Sequence, residues 1–181
     1  DVEVVDGYVL LPLRSTGELQ FLDVSNPSSP FLFLNTTILG DSDQNVRNIE
    51  HLQGGTTHAT DVIATVGWPN DPVAAGYDLI IDFFAWNPAN TGFELIWLDD
   101  LALTAPTISL YGEALFENQA YFALGSSGTA AVDITGITTG SAPTFAGTPY
   151  GKFASRGVAV DPYNNTLLIA EVLFSKDVPP L

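Results

Sequence analysis

Three segments of this chain share one layout: a glycine, an apolar strand, an aspartate, and then a proline. They are G17-ELQFL-D23-VSNPSS-P30, G92-FELIWL-D99-DLALTA-P106 and G128-TAAV-D133-ITGITTGSA-P143. Aspartate and proline stand seven residues apart in the first two copies and ten in the third. A second shared piece, NVRNIEHL (45–52), GEALFEN (112–118) and ASRGVAVD (154–161), follows each proline after a strand-length gap, with Arg47-Asn48-Ile49 and Arg156-Gly157-Val158 in the same place. A third piece, AYFALG (120–125) and TLLIAE (166–171), follows the last two of these. Internal repetition on this scale restricts a chain to solenoids, propellers or arrays.

The remaining apolar residues choose among these. They come in runs of four to ten, such as YVLLPL (8–13), DVIATVG (61–67) and NTLLIAEV (165–172), broken by Gly, Pro, Asn, Asp and Ser. Short runs rich in Val, Ile, Leu, Thr and aromatics are strand chemistry. No window of 12 or more residues sustains a helical apolar period with caps. Four strands per roughly 35–45 residues is the signature of a β-propeller blade. The repeated Asp is expected to form the turn after its strand, its carboxylate accepting nearby backbone N–H groups, while Pro pre-sets the next strand.

The segment LQFLDVSNPSSP (19–30) resembles the LVIVD repeat, in which a strand ends in "VD" and is followed by "SNP…P". GTAAVDITG (128–136) is a second match and FELIWLDDLALTAP (93–106) a looser one. The resemblance implies a β-propeller, usually on a secreted or cell-surface protein of bacteria or archaea, and no transferable catalytic residues.

The expected fold is therefore all-β, with propeller-type blades of four antiparallel strands. The chain is expected to form one propeller-like domain over 1–181, with repeat units of roughly 1–40, 41–112 and 113–153, a partial unit at 154–174 and a tail at 175–181. Residues 53–91 look too long for one blade's connection, which implies an extra hairpin or an elaborated loop with Trp68 and Trp86 near its turns. The strands amount to about three and a half blades. Such a partial propeller leaves sheet edges unpaired, ready for more of the same polypeptide or for a neighbouring subunit.

Charge and missing residue types bound the function. With 5 basic and 21 acidic side chains the net charge is −16, and none of the five cations has a basic neighbour in sequence. Phosphate backbones need clustered Lys and Arg, so nucleic acid is excluded as a partner. An anionic membrane surface is repelled too, and no apolar stretch reaches the roughly 18 residues of a membrane span. There is no Cys, which removes thiolate chemistry and disulfides. There is no Met either, and the chain begins at Asp1, so a processed N-terminus or a segment of a longer chain is expected. Fourteen Asp and few cations suit an extracellular or cell-surface setting, and Asn35 and Asn164 stand in glycosylation acceptor triplets.

Chemistry-bearing constellations are few. Asp41, Asp43 and Asn45 place oxygen side chains at alternate positions, like the opening of a calcium loop. Val46 and Leu52 stand where that loop needs Gly and Glu, so calcium would require ligands from elsewhere. Glu50, His51, His58 and Asp61 are candidate ligands for a transition metal. Asp99-Asp100 cannot be a glycosidase pair, because adjacent strand residues face opposite ways. Gly125-Ser126-Ser127-Gly128 reads as a hairpin turn and not a nucleophile elbow. Trp68 and Trp86 are candidate faces for binding a sugar or a protein. The expectation is a non-catalytic structural or interaction module with a protein partner or self-association through open edges. The alternative is a propeller-type hydrolase or a calcium-dependent binding protein.

Overall fold

A computed structural model describes residues 2–5, 7–13, 18–37, 44–52, 60–69, 75, 79–87, 94–103, 110–150 and 154–172. The chain is all-β. Its strands are β1 (Glu3–Val5), β2 (Tyr8–Leu13), β3 (Glu18–Asp23), β4 (Phe31–Thr37), β5 (Gln44–Leu52), β6 (Asp61–Pro69) and β7 (Leu79–Asn87). They continue with β8 (Glu94–Leu103), β9 (Gly112–Phe116), β10 (Gln119–Ala123), β11 (Thr129–Asp133), β12 (Thr144–Tyr150), β13 (Ala154–Asp161) and β14 (Thr166–Val172). Among the described residues, three sheets are four-stranded antiparallel meanders, β1-β2-β3-β4, β5-β6-β7-β8 and β9-β10-β11-β12, and a fourth holds β13 and β14. Consecutive pairing of this kind is the blade plan of a propeller.

The repeat is visible in the ladder irregularities. The register of β5 on β6 shifts between Val46 and Asn48, and that of β13 on β14 between Ser155 and Gly157. Arg47 and Arg156 are thus the extra residues of corresponding bulges, which bend a strand and strengthen its twist. Each complete sheet also breaks register where its third strand meets its fourth: at Phe21/Leu22, at Phe83/Phe84, and around Ala131.

Contacts divide the chain into two compact units. The first comprises Asp1–Ala105 and Ile134–Pro143, and so holds the first two sheets. Its core joins Val5, Leu10, Leu19 and Phe21 of one sheet to Ile49, Ile63, Phe84 and Trp86 of the other. Trp86 stacks on Phe21 with ring centroids 5.1 Å apart and receives the edge of Tyr8 at 5.9 Å. Strands β6 and β7 are buried on both faces, since Val62, Ala64, Val66, Ile81 and Phe83 are as inaccessible as Ile63 and Phe84. A short 3₁₀ turn, Ile137–Thr139, lies between Gly136 and Gly140, both left-handed.

The second unit comprises Pro106–Asp133 and Thr144–Leu181, with the third sheet and the β13–β14 hairpin. Small residues let β9 and β13 approach closely. A Cβ on Gly112 would stand 3.4 Å from the Gly157 Cα.

Two sequence expectations need correction. Residues 53–91 are not one connection with an extra hairpin: β6 and β7, the central strands of the second sheet, lie within them, and the segments between fall largely outside the described residues. Asp99 does not close a strand, because β8 runs through it to Leu103 as the fourth strand of that sheet. Asp23 and Asp133, by contrast, end the third strands β3 and β11.

Candidate functional site

Within the first unit, a titratable cluster forms where strands β1 and β2 pack on β5. It contains Glu3 of β1, Glu50 and His51 of β5, and Asp61 at the start of β6. His51 pairs in register with Ile63, two residues beyond Asp61, so the His51–Asp61 contact is a cross-strand diagonal. His51 Nε2 lies 2.9 Å from Asp61 Oδ2. Burial pushes the Glu50 carboxyl up to about 7, and the negative charge of Glu3 adds to the rise. Glu3 is itself raised by burial, against the opposing pull of His51 and of the Val4 N–H. The cluster can hold a proton near neutrality. Among the described residues, however, no group of three or more acids and histidines is arranged to grip a metal ion.

The sequence-derived candidates fall in scattered places. Asp41, Asp43 and His58 lie outside the described residues. Asn45 sits in β5 with Trp68 as its Cα partner on β6. Trp68 is half-buried within a strand. Trp86 corrects an expectation: at 1% exposure and stacked in the core it offers no face to a ligand. Asn35 lies in strand β4, whereas Asn164 is exposed in the β13–β14 turn and donates its side-chain amide to Asp161 at 2.7 Å. Gly125 to Gly128 do form the β10–β11 turn, closed by the Gly128 N–H donating to the Gly125 carbonyl at 3.0 Å.

Sequence reasoning passed over two buried carboxylates, Asp82 in β7 and Glu113 in β9. Their signal was a lone acid inside an otherwise apolar run. Asp82 has Thr65 and Asp100 as its Cα partners on either side.

The second unit contains the other candidate. The β13–β14 hairpin is closed by Asp161, whose carboxylate accepts the Tyr163 N–H at 2.9 Å and the Asn164 N–H at 3.3 Å. Hydrogen bonding to the carboxylate holds the Asp161 carboxyl below the usual aspartate pKa, with the Asn164 side chain as the largest cause and the Tyr163 N–H next. Strand β13 is tied to the β10–β11 turn by a two-way backbone bridge, Gly125 N to Ser155 O at 3.1 Å and Ser155 N to Gly125 O at 2.9 Å. The Arg156 guanidinium lies over the Tyr111 ring, 3.9 Å from its centroid. One side of the hairpin is thus well anchored.

The other side is open. On its edge away from β13, strand β14 has no partner strand among the described residues. In each complete sheet the corresponding second strand, β2, β6 or β10, lies between two neighbours. Leu168 is 55% exposed, and Gly157, Val158, Ala159, Leu168, Ile169 and Ala170 line a shallow groove of about 400 Å³. An exposed edge with apolar side chains is a template for strand addition.

No family model and no curated protein matches this chain.

Proposed function

We propose that this chain is a non-catalytic interaction module of a secreted or cell-surface protein, built of LVIVD-like propeller blades, that works by having its unfinished sheet completed. The observation that carries this reading is the contrast, among the described residues, between three four-stranded sheets and one of two strands. Measured against a four-stranded blade plan, the hydrogen-bonding groups on the outer edge of β14 have no neighbouring strand among the described residues. Backbone pairing supplies affinity in strand addition, and the alternating side chains supply specificity. The acidic composition and the acceptor triplets at Asn35 and Asn164 support the extracellular setting.

Amide hydrogen exchange on the isolated chain tests the reading. Residues 166–172 should exchange at least about a hundredfold faster than those of β10, because edge amides open locally without global unfolding. Equal protection of the two strands would mean that β14 is already satisfied within the chain, and the proposal would fall.

A further inference from the structure

The tip of the β13–β14 hairpin carries two features that the sheet plan does not require. Asp161 ends β13 opposite Thr166, the first residue of β14, and Pro162, Tyr163, Asn164 and Asn165 make the turn. The Asp161 carboxylate fixes this turn by accepting the Tyr163 and Asn164 N–H groups. Asn165 takes the left-handed conformation, at a φ of 52°, which asparagine tolerates. The turn therefore asks nothing of the Tyr163 side chain, yet that tyrosine is 96% exposed. A ring held wholly in water forgoes the burial for which aromatic residues are otherwise used.

The second feature is the triplet Asn164-Asn165-Thr166, which has the N-glycosylation acceptor pattern and is exposed at all three residues. The chain's other triplet is engaged in a ladder, where Asn35, Thr36 and Thr37 stand opposite Gln20, Leu19 and Glu18. N-linked sugars are bulky surface groups, and a hairpin tip can open locally at little cost. The Asn164 side-chain amide has two N–H groups. Its contact with Asp161 Oδ2 at 2.7 Å uses one, so the other can give way to a sugar with that contact kept.

Resting on the secreted setting proposed above, we infer that Asn164, and not Asn35, accepts an N-linked sugar whose first residue lies against the Tyr163 ring. The donor is a sugar joined through phosphate to a lipid. The Asn164 amide nitrogen bonds to the anomeric carbon, and the bond from that carbon to the phosphate oxygen breaks. The lipid phosphate leaves, and the proton displaced from nitrogen passes to a base on the transferase.

The full chain, secreted behind a leader from a eukaryotic cell, tests this by intact mass and peptide mapping. One glycan per chain is expected, kept in Asn35→Gln and lost in Asn164→Gln. It should also be lost in Thr166→Ala, which leaves the Asn164 amide in place. Nitration of Tyr163 should be slower on the glycosylated chain than on the Thr166→Ala chain. An unmodified Asn164, or a glycan that Asn35→Gln removes, overturns the inference. Equal nitration of Tyr163 in the two chains overturns its packing against the sugar. Exchange of the β14 amides in the same samples decides the interaction reading separately: an unmodified Asn164 with fast β14 exchange leaves that reading standing.

Discussion

The Ser155 hydroxyl lies 2.8 Å from that of Thr129, and both residues are fully buried. One belongs to β13 and the other to β11, so the contact fastens the incomplete hairpin to the sheet before it. Ser155→Ala leaves the Thr129 hydroxyl buried without that partner, which should cost about 1–3 kcal/mol. Adding Thr129→Val should recover part of the loss. Urea denaturation of the two single variants and the double gives the coupling directly. Purely additive losses would show that the bond contributes nothing.

Stability should fall as pH rises through the range set by Glu50. Its carboxyl sits at about 7 in the folded protein against an ordinary 4.5. The folded state therefore binds more protons between those values, which makes the slope of unfolding free energy with pH negative. The contribution is fully present below about 4.5 and is lost as pH climbs through about 7. Glu3, also raised, acts in the same direction. Asp23 and Asp161 are lowered by their turn hydrogen bonds, so their contributions are lost only at lower pH. Melting curves from pH 4 to 8 should show this decline, with Glu50→Gln flattening it; an unchanged slope in that variant would assign the effect elsewhere.

Trp86 is a core residue and should behave as one. Replacing it with Ala removes its stack on Phe21 and the edge contact from Tyr8. A loss of about 3–5 kcal/mol is expected, with Trp86→Phe costing less. Near-neutral behaviour of Trp86→Ala in denaturant would contradict the packing.

Thr65 is fully buried, and its hydroxyl has no hydrogen-bond partner among the described residues. Thr65→Val keeps the shape and removes a desolvated polar group. The variant should gain about 1 kcal/mol, read as a higher melting temperature. A lower one would mean that the hydroxyl is satisfied in solution.

Much of the architecture was legible because blade strands are short and their turns are chemically marked. The pieces at 45–52, 112–118 and 154–161, matched through Arg47 and Arg156, are the first strands β5, β9 and β13. The second sheet was harder to read. Strands β6 and β7 are buried on both faces and so read as continuous apolar runs, without the alternation that marks a strand with one wet face. Trp86 was misjudged for a related reason. Nearness to Asn87-Pro88 signals a turn, but exposure follows the face of the strand, which Trp86 shares with buried Phe84. The effect of Glu3 on Glu50 had no sequence signal at all, because the packing of β1 and β2 on β5 brings these distant residues near. The Asp-to-turn rule held at Asp23, whose carboxylate accepts the Ser25 N–H, and Asp133 likewise stands at the end of its strand. It failed at Asp99, where β8 continues through the residue.

Among the described residues the β13–β14 sheet has two strands, so a strand completing it would make its joint inside a sheet instead of between two sheets. A joint between sheets tolerates small slides, because packed side chains can readjust. A joint within a sheet admits only discrete positions, since a slip of one residue turns every docked side chain to the wrong face. On the proposed reading, pairing at β14 would be digital: an arriving strand is either in step with Leu168 and Ala170 or excluded, and fidelity comes from counting residues along a backbone.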